Sequence, residues 1–90
     1  MKERRAHSRV LFHRDVSLVL ANDRTYTCVA YDFSMRGIGV STSEQLNAGD
    51  TISVQFQIIS NANWRDINLR GRVAYSRPQG DHFNTGISFY

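Results

Sequence analysis

From about Asp15 to the C-terminus, apolar and polar residues alternate with the two-residue period of β-strands, and the 3.6-residue period of a helix is nowhere sustained. The clearest stretch is Thr51-Ile52-Ser53-Val54-Gln55-Phe56-Gln57-Ile58, where every second side chain is apolar, as in a strand with one buried and one wet face. Ile67, Leu69, Gly71, Val73 and Tyr75 repeat the period opposite Asn68, Arg70, Arg72 and Ala74. Phe83, Ile87 and Phe89 share one face of a final strand, with Thr85 between them. Earlier, Val16, Leu18 and Leu20 mark one strand. Thr25 to Tyr31 form the next, with Tyr26, Cys28 and Ala30 on one face, and Gly37 to Ser41 a short third.

Residues that bend the chain or bond their own backbone separate these segments: Asn22-Asp23, Asn47-Ala48-Gly49-Asp50, Ser60-Asn61-Ala62-Asn63 and Pro78-Gln79-Gly80-Asp81. Roughly six strands result. So many short antiparallel strands in a 90-residue chain pack as a sandwich or a barrel, and closure into a barrel best removes exposed edges. The expected fold is therefore all-β. Ser43-Glu44-Gln45-Leu46 has room for one helical turn and no more. Residues 1–13 show no clear period and are expected to form a flexible arm on a barrel of residues 14–90, with Val10, Leu11 and Phe12 docking the arm's far end.

Composition narrows the class. The chain is 41% hydrophobic and 21% charged, ordinary values for a single small globular domain. No apolar run approaches the ~20 residues of a membrane helix. The start, Met1-Lys2-Glu3-Arg4-Arg5, leads into no signal-like apolar stretch, so a cytoplasmic location is expected. Cys28 is the single cysteine, which excludes an internal disulfide and a multi-cysteine metal site and reads as a small buried hydrophobe. His7, His13 and His82 lack metal-ligand spacing, and no serine or cysteine sits in a catalytic motif, so neither enzyme, metal site nor cofactor is expected.

The net charge of +3 is unevenly spread: Lys2, Arg4, Arg5, Arg9 and Arg14 precede Asp15, against only Glu3. That concentration points to an anionic partner at the arm, or to a solvated basic tail. Within it, Arg5-Ala6-His7-Ser8-Arg9 offers guanidinium groups for forked bonds to phosphate or to the acceptor edge of guanine, with Arg4 as a third. Further on, Asp32-Phe33-Ser34-Met35-Arg36-Gly37 offers a carboxylate to accept from guanine N–H groups, a hydroxyl for a phosphate or base, and a glycine for close approach of backbone to a ligand. Together they describe an anion-and-guanine site.

An Arg-x-x-x-Arg followed some two dozen residues later by Asp-x-Ser-x-x-Gly resembles the PilZ domain family, bacterial receptors for cyclic di-GMP. Gly86-Ile87-Ser88-Phe89 is similar to the Gly-x-x-Phe that closes the family's last barrel strand, so the resemblance spans nearly the whole chain. It implies a six-stranded antiparallel barrel. It also implies that Arg5 and Arg9 grip phosphate and guanine acceptor atoms, that Asp32 and Ser34 make the other guanine contacts, and that Gly37 leaves room for them. Arg4, directly before the motif, resembles the additional arginine of members that take a stacked pair of ligands. Arg36 is read either as a phosphate contact or as solvated. Tyr75 is core by its period, or stacks a guanine as an aromatic near this place does in some relatives. Trp64 is a partner contact if exposed, or packs over a barrel end. The chain stops at Tyr90, where many members continue into a C-terminal helix, and the output is expected to pass through an unidentified protein partner or output domain.

Two other readings fit less of the sequence. A small barrel that binds nucleic acid would use Arg65, Arg70, Arg72 and Arg77 as a basic face, yet gives Asp32, Ser34 and Gly37 no role. A ligand-blind PilZ-like interaction module would not need the intact motifs.

Overall fold

The computed structural model describes residues 10–90, and side chains from Arg14 onward. Six strands, β1 (Val10–Val19), β2 (Thr25–Phe33), β3 (Gly37–Thr42), β4 (Thr51–Ser60), β5 (Asn63–Gln79) and β6 (His82–Phe89), close into a barrel in the order β1-β2-β3-β6-β5-β4. Every neighbouring pair is antiparallel. The expected six-stranded antiparallel barrel is the observed fold. β1 begins at Val10 and pairs Val10 with Phe33 and Leu11 with Asp32, so residues 10–13 belong to a strand although the apolar pattern does not mark them.

Alternation builds the interior. Val16, Leu18, Cys28, Ala30, Ile38, Val40, Ile52, Val54, Val73 and Ile87 all point inward and are buried. Burial pushes the Cys28 thiol up to about 12, with the charge of Asp15 adding to the effect, so it is a packed, neutral group.

The two ends of the barrel close differently. At one, the rings of Phe33, Phe56 and Phe89 meet, Phe33 lying 6.0 Å from each of the other two. At the other, the segment 43–50 folds over the opening and buries Leu46, without forming a helical turn. Polar groups there form a directed chain. Leu46 N–H donates to Ser76 Oγ at 3.1 Å, Ser76 and Thr85 hydroxyls lie 2.8 Å apart, Thr85 and Thr42 hydroxyls 3.0 Å apart, and Thr42 donates to the Glu44 carbonyl at 2.9 Å. Because each hydroxyl has one proton, the last bond fixes the direction of the others. Ser76 donates to Thr85, and Thr85 to Thr42. Thr42 and Thr85 are thereby buried without loss.

β4 and β5 extend beyond the barrel wall. β1 pairs with β4 only from Ser17↔Gln55 to Val19↔Ser53, whereas β4 and β5 stay paired out to Ser60↔Asn63. Ile59 and Trp64 face each other on this overhang and are 63% and 64% exposed, so Trp64 does not pack over a barrel end.

Candidate functional site

Two β-bulges decide what the outer face of the barrel carries. On β2 the pairing with β3 steps from Ala30↔Val40 to Asp32↔Gly39, leaving Tyr31 as an extra residue. Ala30 and Val40 point inward, so a strict period of two would also bury Asp32. The bulge instead places Asp32 beside Gly39 on the outside and returns Phe33 to the core cluster. On β5 the pairing with β6 steps from Val73↔Ile87 to Tyr75↔Gly86, leaving Ala74 as the extra residue and turning Tyr75 outward. The core reading of Tyr75 fails for this reason.

The consequence is a flat strip across β2, β3, β6 and β5. Gly39 and Gly86 are directly paired at its centre. A Cβ on Gly39 would come within 2.8 Å of the Tyr31 ring and 2.9 Å of the Asp32 carboxylate, and one on Gly86 would overlap the ring of Tyr75. A tyrosine from each side thus lies over a glycine from each inner strand. Isolated glycines inside strands are the sequence signal for such close approaches. Sequence reasoning used Gly86 only as part of a closing motif and passed over Tyr31 and Gly39.

Beside this strip, β2 reverses into β3 through a tight turn. Ser34 N–H donates to the Gly37 carbonyl at 2.9 Å, and Arg36 N–H donates to Ser34 Oγ at 3.2 Å. The Arg36 carbonyl accepts from Phe89 N–H at 2.8 Å, which ties the turn to β6. Met35 at its tip is 91% exposed. Ser34 has used its hydroxyl as an acceptor and retains the proton for a ligand. Gly37 meets a demand of the fold itself, since a Cβ there would run into the backbone carbonyl of Ile87. The turn is anchored at both roots, by Phe33 in the core and Phe89 on β6.

The next feature is positive charge without counter-charge. On the outer face of β5, Arg77 lies over the Tyr75 ring at 4.5 Å, and Arg72 over the Tyr90 ring at 5.2 Å. The Tyr90 hydroxyl is hydrogen-bonded with Thr51 at 3.2 Å, and this bond, aided by the Arg72 and Arg70 charges, holds its phenol below the usual range. Among the described residues, Arg36, Arg70, Arg72 and Arg77 have no carboxylate partner, in contrast to Arg24, which pairs with Glu44 at 3.1 Å. Sequence reasoning named Arg77 only as part of a generic basic face.

Asp32, Ser34, Arg36 and Gly37 are therefore brought together on one hairpin, and Tyr75 stands across the Gly39–Gly86 pair from Asp32. Arg4, Arg5 and Arg9 lie outside the described residues. Among the described residues, no group of three His, Cys, Asp or Glu side chains converges on a common point, and no helix is long and apolar enough to cross a membrane.

The closed barrel thus presents a carboxylate, a hydroxyl and stacked arginines on its outer wall. The chain belongs to the PilZ domain family, whose pattern it matches over residues 3–90. PilZ domains generally bind cyclic di-GMP and act in signalling. Among solved structures, the chain is similar to the Bacillus subtilis inhibitor of motility MotI/DgrA, with a TM-score of 0.78 and 16% identity, covering 98% of this chain and 43% of that one. It is also similar to the PilZ domain of CeSA from a cellulose-synthesizing bacterium, with a TM-score of 0.64 and 19% identity, covering 90% of this chain and 79% of that one. The chain thus spans less than half of the inhibitor, and at these identities the likeness is one of fold. No curated protein matches it in sequence.

Proposed function

We propose that the chain is a cyclic di-GMP receptor that signals through a protein partner in the cytoplasm and performs no catalysis itself. The observation that carries this reading is the bulge at Tyr31, which delivers Asp32 to the outer wall beside a turn that presents Ser34. A carboxylate placed so accepts from guanine N–H groups, and the unpaired Arg36 supplies charge for a phosphate. Arg5 and Arg9 complete the grip from the N-terminal segment, and Arg4 adds charge that suits a stacked pair of ligands. Ligand binding orders residues 1–9, ahead of β1, against the barrel, so the closed form alone contains the arginine bonds and the partner reads that form. Arg77 already covers the Tyr75 ring, so a base on this side stacks on the guanidinium or displaces it.

Calorimetric titration with cyclic di-GMP, with GMP and a short single-stranded RNA as controls, tests the reading. Selective binding of cyclic di-GMP is expected, weakened roughly tenfold to a hundredfold by Arg5→Ala or Asp32→Ala, from the ~1.5–3 kcal/mol of a charge-assisted bond. An endpoint of two ligands per chain is expected, and hydrogen exchange over residues 1–9 should slow when ligand is added. Binding that ignores Asp32 would refute the proposal.

The unpaired Arg70, Arg72 and Arg77 favour a second reading, a surface for single-stranded nucleic acid. Against it, Tyr75 and Tyr90 are each covered by an arginine, and a strand binder needs open rings for base stacking. RNA affinity that falls steeply with salt and is unmoved by Asp32→Ala would support this second reading instead.

A further inference from the structure

Two residues along the outer face from the Asp32 row, the wall dips into a pocket of about 220 Å³ lined by Tyr31, Ser41, Gln79, His82 and Asn84. Its volume lies below the ~300–1,000 Å³ of sites that enclose a whole small-molecule ligand, so it suits one ring system of a larger molecule. The strands put it together in register: Ser41 is opposite Asn84, Asn84 opposite Arg77, and His82 opposite Gln79. None of these residues belongs to the two sequence motifs.

The informative atom is Asn84 Oδ1, which is buried and accepts no hydrogen bond. A buried amide oxygen without a donor is destabilising, and folded proteins rarely keep one without a reason. Asn84 itself lines an open pocket, so a ligand seated there supplies the missing donor once the amide turns towards it. The rest of the lining is equally polar. Ser41 and Gln79 each donate and accept. His82 Nδ1 lies 3.2 Å from the Asp81 carboxylate, which can only accept, so Nδ1 is the donor of that contact. The Tyr31 ring lies against Gly39 on the side towards Asp32. Just outside, the Arg77 guanidinium rests on Tyr75 and is available to an anion.

A flat heterocycle with adjacent N–H donors and a neighbouring acceptor matches this lining. Guanine has that edge: N1–H and the N2 amino group donate, and O6 accepts. Adenine presents an acceptor at N1 where guanine has a donor. We infer that this pocket seats a guanine base, with Asn84 Oδ1 accepting from its N–H edge, Gln79 donating to O6, and Arg77 holding the attached phosphate. The inference rests on the cyclic di-GMP reading and deepens it: Asn84 becomes a specificity-determining residue of the same face, one row from Asp32.

The test is titration of the full chain and its Asn84→Leu, Gln79→Ala and Asp32→Ala variants with cyclic di-GMP and with cyclic di-AMP. Asn84→Leu removes the orphaned carbonyl at similar volume, so its thermal midpoint without ligand should equal or exceed that of the parent. Its affinity for cyclic di-GMP should nevertheless fall at least tenfold, and its preference for guanine over adenine should narrow by a similar factor. Gln79→Ala, an exposed substitution that leaves the interior untouched, should weaken cyclic di-GMP a few-fold. Parent-like affinity and base preference in both pocket variants, with Asp32→Ala still defective, would overturn the pocket assignment and leave the receptor reading standing. A parent chain that binds no cyclic di-GMP would overturn both.

Discussion

The β4–β5 hairpin runs without interruption from Thr51↔Arg72 to Ser60↔Asn63, whereas the β2–β3 and β5–β6 pairings that carry the candidate site each contain a bulge. The two regions also use glycine differently. In the site, Gly37, Gly39 and Gly86 have no left-handed backbone and are needed for space, against the Ile87 carbonyl, the Tyr31 ring and the Tyr75 ring. In the hairpin the left-handed backbone is real, with φ of 51° at Asn61 and 64° at Ala62, and no glycine is present to take it. The regular ladder sets a scaffold. The bulged strip departs from regularity twice, and each departure turns a side chain outward that alternation would have buried. Such departures tend to mark functional surfaces in folded proteins.

The largest expected effect comes from filling space against backbone. Gly37→Ala should lower unfolding free energy by about 1 to 3 kcal/mol, because the Ile87 carbonyl cannot rotate away as a side chain can. Urea denaturation measures it. An unchanged midpoint would mean that the turn and β6 are not in contact, and the anchoring argued for the turn would go with it.

Gly86→Ala is expected to cost a similar or smaller amount for a different reason, since the obstacle is the ring of Tyr75. The distinction can be made by a double-mutant cycle. In a Tyr75→Ala background the added methyl should be nearly free, giving a coupling of about 0.5 to 3 kcal/mol. Additive costs would show that Tyr75 does not lie over Gly86. In that event the strip on which both functional proposals depend would have a different shape.

How much of this was legible in the sequence follows the same division. Where alternation is unbroken, as from Ile52 to Val54, the buried residues were read correctly, and so was the six-strand closed barrel. The motif residues Asp32, Ser34 and Gly37 could be named from residue chemistry and resemblance, but their placement could not. Counting by twos from Cys28 and Ala30 puts Asp32 inside, and counting from Val73 puts Tyr75 inside; nothing in the identity of Tyr31 or Ala74 announces an extra residue. The pocket at Asn84 draws on four strands, and such long-range register has no local signature. Trp64 was left open between exposure and packing over a barrel end for the same reason. Its exposure follows from the point where β1 leaves β4, at Ser17↔Gln55.

The smallest prediction concerns the regular hairpin alone. Its two-residue turn needs positive φ at both central positions, the geometry for which Asn-Gly is the favoured pair. Asn61 fits that preference, and Ala62 does not, since its Cβ crowds the following carbonyl at a cost of about 1 to 2 kcal/mol. Ala62→Gly removes that strain but loosens the unfolded chain, which returns part of the gain. The net should be a stabilisation of about 0.5 to 1 kcal/mol, visible as a rise of a few degrees in the thermal midpoint. Asn61→Gly should gain less, because asparagine tolerates this backbone. Both substitutions lie on the overhang, away from the Asp32 strip, so neither should alter the titration with cyclic di-GMP. A loss of stability in Ala62→Gly would mean that the turn is not left-handed at that residue. A change in ligand affinity would mean that the overhang and the bulged face are coupled, and the separation of scaffold from site would have to be abandoned.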